Sequence, residues 1–167
     1  MFSIKKFVLL LAFAVCFAPQ EAQAQKGWGG MYASGASAAQ VLSTTAAKFT
    51  GFVTAMPSSS TGGDTSVVSV VASDQITLAP GHYNIRFDYS GTADAATLVT
   101  FTLRNGVTAI TGASTRINHP ISTNVTASIS FLYNPTAAAT LSVYAVAAAA
   151  TPAITATDCQ IVVTRLD

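Results

Sequence analysis

Charged residues are scarce in this chain: Asp, Glu, Lys and Arg make up only 9% of 167 residues. Beyond residue 24 there is no glutamate at all. The acids there are Asp64, Asp74, Asp88, Asp94, Asp158 and Asp167, and they balance Lys26, Lys48, Arg86, Arg104, Arg116 and Arg165. No basic stripe exists, which excludes the electrostatic footprint of a nucleic-acid binder. So little charge also removes most of the repulsion that keeps monomers apart. It points either to surface hidden in an oligomer or to a monomer solvated by threonine and serine hydroxyls. Cysteine is equally rare, with Cys16 and Cys159 alone. One cysteine past the N-terminal segment excludes an intrachain disulfide scaffold. Cys159, beside Ile161 and Val163, reads as a small buried apolar residue, with an intermolecular bridge as the alternative. The two histidines, His82 and His119, show no His-x-His or His-x3-His spacing, so no zinc motif is present.

A long apolar run occurs once, at the start. Two lysines (Lys5 and Lys6) precede the uninterrupted stretch Phe7–Phe17, and Ala22-Gln23-Ala24 follows. A basic segment, a short apolar segment and a small-x-small site form a secretory signal peptide. The run is too short to span a bilayer as a helix. Cleavage is expected between Ala24 and Gln25. Val15 before Cys16 is not the small residue that a lipoprotein signal requires. Residues 25–167 then suffice for one domain, with 25–40 as an N-terminal extension holding Trp28 between glycines, and 41–167 as the domain itself. The expected location is extracellular or at the cell surface, the periplasm included, with no membrane span after cleavage.

What is abundant is period-two alternation. After the turn Pro80-Gly81, residues Tyr83, Ile85, Phe87 and Tyr89 alternate with Asn84, Arg86 and Asp88. One apolar and one polar face make a half-buried strand, and aromatic and β-branched residues suit it. Further strands are read at 31–34, 49–54, 66–72, 97–104, 107–110, 122–133, 140–147 and 158–166, and 74–78 leads into the Pro80-Gly81 turn. Asn105-Gly106 is a tight-turn signal that makes 97–110 a hairpin. Gly51 suggests a bulge or a close approach. Tyr144 and Val146, on the second face of 140–147, suggest a strand covered on both sides. Residues 57–64, 90–95 around Gly91, and 112–120 read as loops or connections, and 147–155 as a loop or bent strand. Eight to ten short strands without a helix predict an all-β, antiparallel two-sheet sandwich or barrel.

The run Ile76–Phe87, with its Pro-Gly-x-Tyr turn, resembles the strand pair of the tumour-necrosis-factor-like and complement globular-head jelly rolls, a type also found in bacterial exported proteins and phage fibres. Phe101–Gly106 matches the hairpin with Asn-Gly at its tip, and Ile161–Leu166 the closing apolar strand. The similarity covers residues 66–167. It implies a jelly-roll sandwich and a homotrimer, and carries over no ligand residues; no collagen-like stalk is present.

Residues able to do chemistry are few and scattered. His82 beside a turn and His119 before Pro120 are expected in surface loops. There is no G-x-S-x-G elbow, Gly35-Ala36-Ser37-Ala38-Ala39 being only a partial match. Asp64, Asp74 and Asp94 fall in or beside loops, where Asp stabilises turns, and Asp88 lies on a wet strand face. No calcium-loop spacing or phosphate-cradling glycine loop occurs. Asn124-Val125-Thr126 is a glycosylation sequon. No cofactor, metal or catalytic residue is assigned. The expected function is a secreted, non-enzymatic structural or adhesive domain that self-associates as a trimer. The alternatives are a monomeric carbohydrate- or ligand-binding module, whose ligand residues are unknown, and a small secreted hydrolase. Asn84, Arg86 and Asp88 read as a solvated or inter-strand face. Surface glycan or protein partners are compatible with a hydroxyl-rich surface.

Overall fold

The computed structural model describes residues 27–34, 36–52, 54–56, 68–72, 74–149 and 151–167. The signal-peptide cleavage site, the 57–64 loop and Asp64 lie outside them. Among the described residues there is no helix, and twelve strands are formed: β1 (Trp28–Ser34), β2 (Gln40–Val41), β3 (Ala47–Lys48), β4 (Thr54–Met56), β5 (Val68–Ala72), β6 (Gln75–Leu78), β7 (Tyr83–Ala93), β8 (Thr97–Asn105), β9 (Thr108–His119), β10 (Val125–Tyr133), β11 (Ala139–Ala147) and β12 (Ala153–Arg165).

They build two antiparallel sheets that pack as a sandwich, a jelly roll. The first runs β10-β7-β12-β1-β4, with β2 added to β12; the second runs β5-β6-β11-β8-β9, with β3 added to β11. From β6 onward the chain crosses from sheet to sheet, apart from the β8–β9 hairpin. Each sheet therefore interleaves strands distant in sequence.

Period two explains which side chains meet between the sheets. β7 buries Tyr83, Ile85, Phe87 and Tyr89, and β12 buries Ile154, Ala156, Cys159, Ile161 and Val163. From the second sheet come Ile76, Leu78, Val99, Phe101, Leu103, Leu141 and Val143. Phe49 stands at the centre. Its ring lies 5.4 Å from those of Phe52 and Phe101, 5.9 Å from Tyr89 and 6.3 Å from Phe87, always edge-on. Edge-to-face pairs contribute about 0.5–1.5 kcal/mol each beyond area burial.

Several sequence expectations are corrected. The expected strand at 31–34 forms but begins earlier, at Trp28, and as β1 between β12 and β4 it belongs to the sandwich and not to an extension. Phe49 and Phe52 are core residues outside any strand, and β4 begins only at Thr54. Gly51 is a close approach: a Cβ there would collide with the Phe49 ring. Gly91 is no loop centre but lies inside β7, and 112–119 belongs to β9. His119 consequently sits in a strand and is fully buried. Asn105 ends β8 opposite Thr108, and Gly106 takes φ +58° in the turn. The hint that β11 is covered on both sides has a local cause: Arg104 lies 4.4 Å over the Tyr144 ring.

Candidate functional site

The outer face of the first sheet can be laid out from its registers. Across β10, β7, β12 and β1, successive rows are Thr126–Ser90–Asp158–Ser34, Ser128–Asp88–Gln160–Tyr32, Ser130–Arg86–Val162–Gly30 and Leu132–Asn84–Thr164–Trp28. The first three rows hold a shallow groove of about 500 Å³, lined by Arg86, Asp88, Ser90, Ser128, Asp158 and Gln160 among others.

A β-bulge shapes this groove. β12 pairs Ala156 with Gly91 and Asp158 with Ser90, so Thr157 is an extra residue. Ala156 and Cys159 both point into the core, leaving Thr157 and Asp158 together on the outside. Bulges re-aim side chains in this way. The Thr157 hydroxyl lies 3.3 Å from both Ser90 Oγ and Asn124 Oδ1, and Ser90 Oγ donates to Asn124 Oδ1 at 3.2 Å. Asn124, the sequon asparagine, thus lies just before β10 and not within it.

In the next row the polar groups are already tied together. Arg86 Nε donates to Asp88 Oδ1 at 3.1 Å and lies 2.8 Å from Oδ2; Gln160 Nε2 donates to Oδ2 at 3.0 Å. Arg86 and Asp88 therefore pair within their own strand and with β12. The sequence placed both on a wet face, and the structure adds Gln160 and Asp158. The missed signal was the alternation of Asp158, Gln160 and Thr164 with Cys159, Ile161 and Val163. Asp158 is the diagonal neighbour of Asp88, about 7–8 Å away along such a ladder. Asp158 faces water and Asp88 faces a guanidinium, and no histidine lines the groove.

The other titratable residues do not converge on it. His82 is exposed, with Nδ1 3.2 Å from Asp167 Oδ2. Arg165 Nε, 2.7 Å from Asp167, together with the His82 backbone N–H and ring, holds the Asp167 carboxyl well below the ordinary carboxylate range. Asp74 pairs with Lys48 at 3.1 Å, and Asp94 Oδ1 accepts from Ala153 N at 2.8 Å. His119 is buried beside Tyr89, ring centroids 5.7 Å apart, and its register partner is Thr97. Neither His119 nitrogen, nor Tyr89 Oη, nor Thr97 Oγ1 has a hydrogen-bond partner among the described residues. Burial lowers the His119 pKa. Cys159 is buried and free, and its Sγ donates to the Gly51 carbonyl at 3.4 Å. Burial pushes its thiol up to about 12. Among the described residues, no group of three His, Cys, Asp or Glu is placed to hold a metal ion.

Similarity to known proteins is visible in the fold and not in the sequence. The solved structure of Eiger TNF from S. frugiperda superposes with a TM-score of 0.58 at 11% identity, covering 84% of this chain and 94% of that one. The fold is a tumour-necrosis-factor-like jelly roll. A weaker likeness is to PRD1 vertex protein P5, at a TM-score of 0.48 and 15% identity over 85% of this chain and 98% of that one. No protein-family model matches the sequence, and no curated protein matches it either. Folds of this kind host many functions, so function has to come from the surface.

Proposed function

We propose that the protein is a secreted, non-enzymatic structural or adhesive jelly roll that self-associates, as a trimer, at the cell surface or in an extracellular assembly. The observation that carries this proposal is a shallow hollow at one end of the first sheet with two exposed apolar side chains, Val41 and Ile121, beside it. Val41 is the register partner of Ala153, and Ile121 bridges to Ala93. Ala153 and Ala93 line a depression of about 370 Å³ together with Ala39, Thr92, Asp94, Ser122 and Thr155. Val41 is 65% and Ile121 61% exposed. Small side chains on the floor and branched apolar ones beside it suit insertion of a side chain from a second copy, and a surface so poor in charge opposes that contact weakly. The signal-peptide pattern supports export, and the tumour-necrosis-factor-like fold suits a trimer.

Sedimentation equilibrium on the mature chain 25–167 tests the assembly. The expected mass is three times that of the protomer, and Val41→Asp with Ile121→Asp shifts it toward the monomer. A wild-type chain that stays monomeric at high concentration overturns the proposal.

A further inference from the structure

We propose that the groove across β10, β7 and β12 is a binding site for a neutral oligosaccharide. This goes beyond self-association: it names the ligand of the adhesive domain and stands whether or not the chain assembles. The geometry starts with the bulge in the middle of β12, which places Thr157 and Asp158 side by side at one end of the groove. A bulge deep inside a central strand interrupts a ladder that the core would otherwise favour, and here its outcome is an added polar side chain on the outer face.

The groups in the groove alternate between donors and acceptors. Ser90 and Ser128 hydroxyls do both, Gln160 carries an amide, Asp88 and Asp158 accept, and Arg86 donates. Their arrangement is set in advance, because Arg86 and Gln160 both hold Asp88. Ordering those side chains is then not charged against binding. An aromatic residue follows next to the lining: Tyr32, half-buried, is the register partner of Gln160, and Trp28 follows two rows along β1.

Other ligand classes fit worse. An anion meets two carboxylates, Asp88 and Asp158, against one guanidinium already paired at 2.8 Å. A peptide added as a strand pairs at a sheet edge; the edge here is β10, at the border of the groove, whereas β7 and β12 along its floor are paired on both sides. An apolar ligand meets mainly hydroxyl, amide and charged groups. A neutral sugar presents hydroxyls that both donate and accept, and C–H faces that pack on a ring such as Tyr32. The volume, about 500 Å³, falls within the ordinary range for small-molecule sites.

The test is binding of the full mature chain to immobilised neutral oligosaccharides (β-glucan, chitin, mannan and galactan fragments), with heparin as the anionic arm and sedimentation mass measured on the same sample. At least one neutral oligosaccharide is expected to be retained, and heparin is not. Asp88→Asn with Gln160→Ala should weaken that binding by about tenfold or more. Tyr32→Ala, which leaves the hydrogen-bonded groups intact, should also weaken it. Arg116→Ala on the outer face of the other sheet should leave it unchanged. Circular dichroism and melting temperature confirm that each variant is folded. Retention of no neutral oligosaccharide, retention of heparin alone, or wild-type binding by both groove variants overturns the site. A monomer that binds sugar refutes only the assembly, and a trimer that binds none refutes only the groove.

Discussion

The Tyr89 ring is placed by its neighbours and not by its hydroxyl. The ring packs 4.6 Å from Phe101 and 5.9 Å from Phe49, while the buried Oη has no partner among the described residues. The hydroxyl lies where a Cβ on Gly91 would be, and the Thr155 carbonyl is 2.6 Å from the same point. Gly91 is therefore a glycine because a ring end and a backbone oxygen occupy its side-chain space. Gly91→Ala is expected to destabilise the protein by about 1–3 kcal/mol, as overpacking does. Tyr89→Phe should be neutral or stabilising by about 1 kcal/mol, since it removes an unsatisfied buried group. Combined with Gly91→Ala, it should recover part of that loss. Urea denaturation of the four species forms a double-mutant cycle, and strict additivity would refute the contact. None of this is legible locally. Ser90-Gly91-Thr92 has the composition of a turn, and only the fold across to β12 shows what fills the space.

At the level of elements, strands were readable wherever one face meets the core and the other meets water. β7 and β8 show this alternation in their burial as in their sequence. Two kinds of element were hidden. β9 carried its own signal, with Ala113, Ile117 and His119 inward and Ser114, Arg116 and Asn118 outward, but Gly112 and Pro120 gave it the composition of a connection. β12 starts at Ala153, well before the apolar alternation becomes visible, because its first half is alanine and threonine around a bulge. The connection before it holds Thr151 at φ +72°, a costly conformation for a β-branched residue. Its backbone N–H donates to the Leu42 carbonyl at 3.1 Å, and the Leu42 N–H to the Pro152 carbonyl at 2.8 Å. Those bonds hold the segment in place against its own preference. Thr151→Gly should therefore raise stability by about 1 kcal/mol, read as a higher urea midpoint with unchanged slope. A lower midpoint would show that the threonine side chain makes contacts that outweigh the strain.

For the whole molecule, His119 links folding to pH. Tyr89 and Thr97 face its ring, and neither carries a charge able to stabilise an imidazolium. Its folded pKa lies below the ordinary value of 6.5. The unfolded chain thus takes up the proton first, and stability is fully present above pH 6.5 and falls as the pH drops below it. Denaturation midpoints measured between pH 7.5 and pH 5 should decline in the wild type, and His119→Phe should flatten that slope. A wild-type midpoint independent of pH in this range would contradict the burial. The amino-acid sequence by itself determined the all-β class, most strand positions, the Asn105-Gly106 hairpin and the wet face holding Arg86 and Asp88. Those follow from side-chain periodicity and turn chemistry, which are local. Only the tertiary structure decided that Gln160 and Asp158 join Arg86 and Asp88 in one groove, that His119 is buried, and that Gly91 lies beneath a tyrosine. The groove depends on register between strands whose facing residues, Asp88 and Gln160, are 72 residues apart, the burial of His119 on its pairing with Thr97, and the space above Gly91 on the β12 backbone that closes it; such register is settled by how two sheets fit around one aromatic core, not by any short stretch of chain.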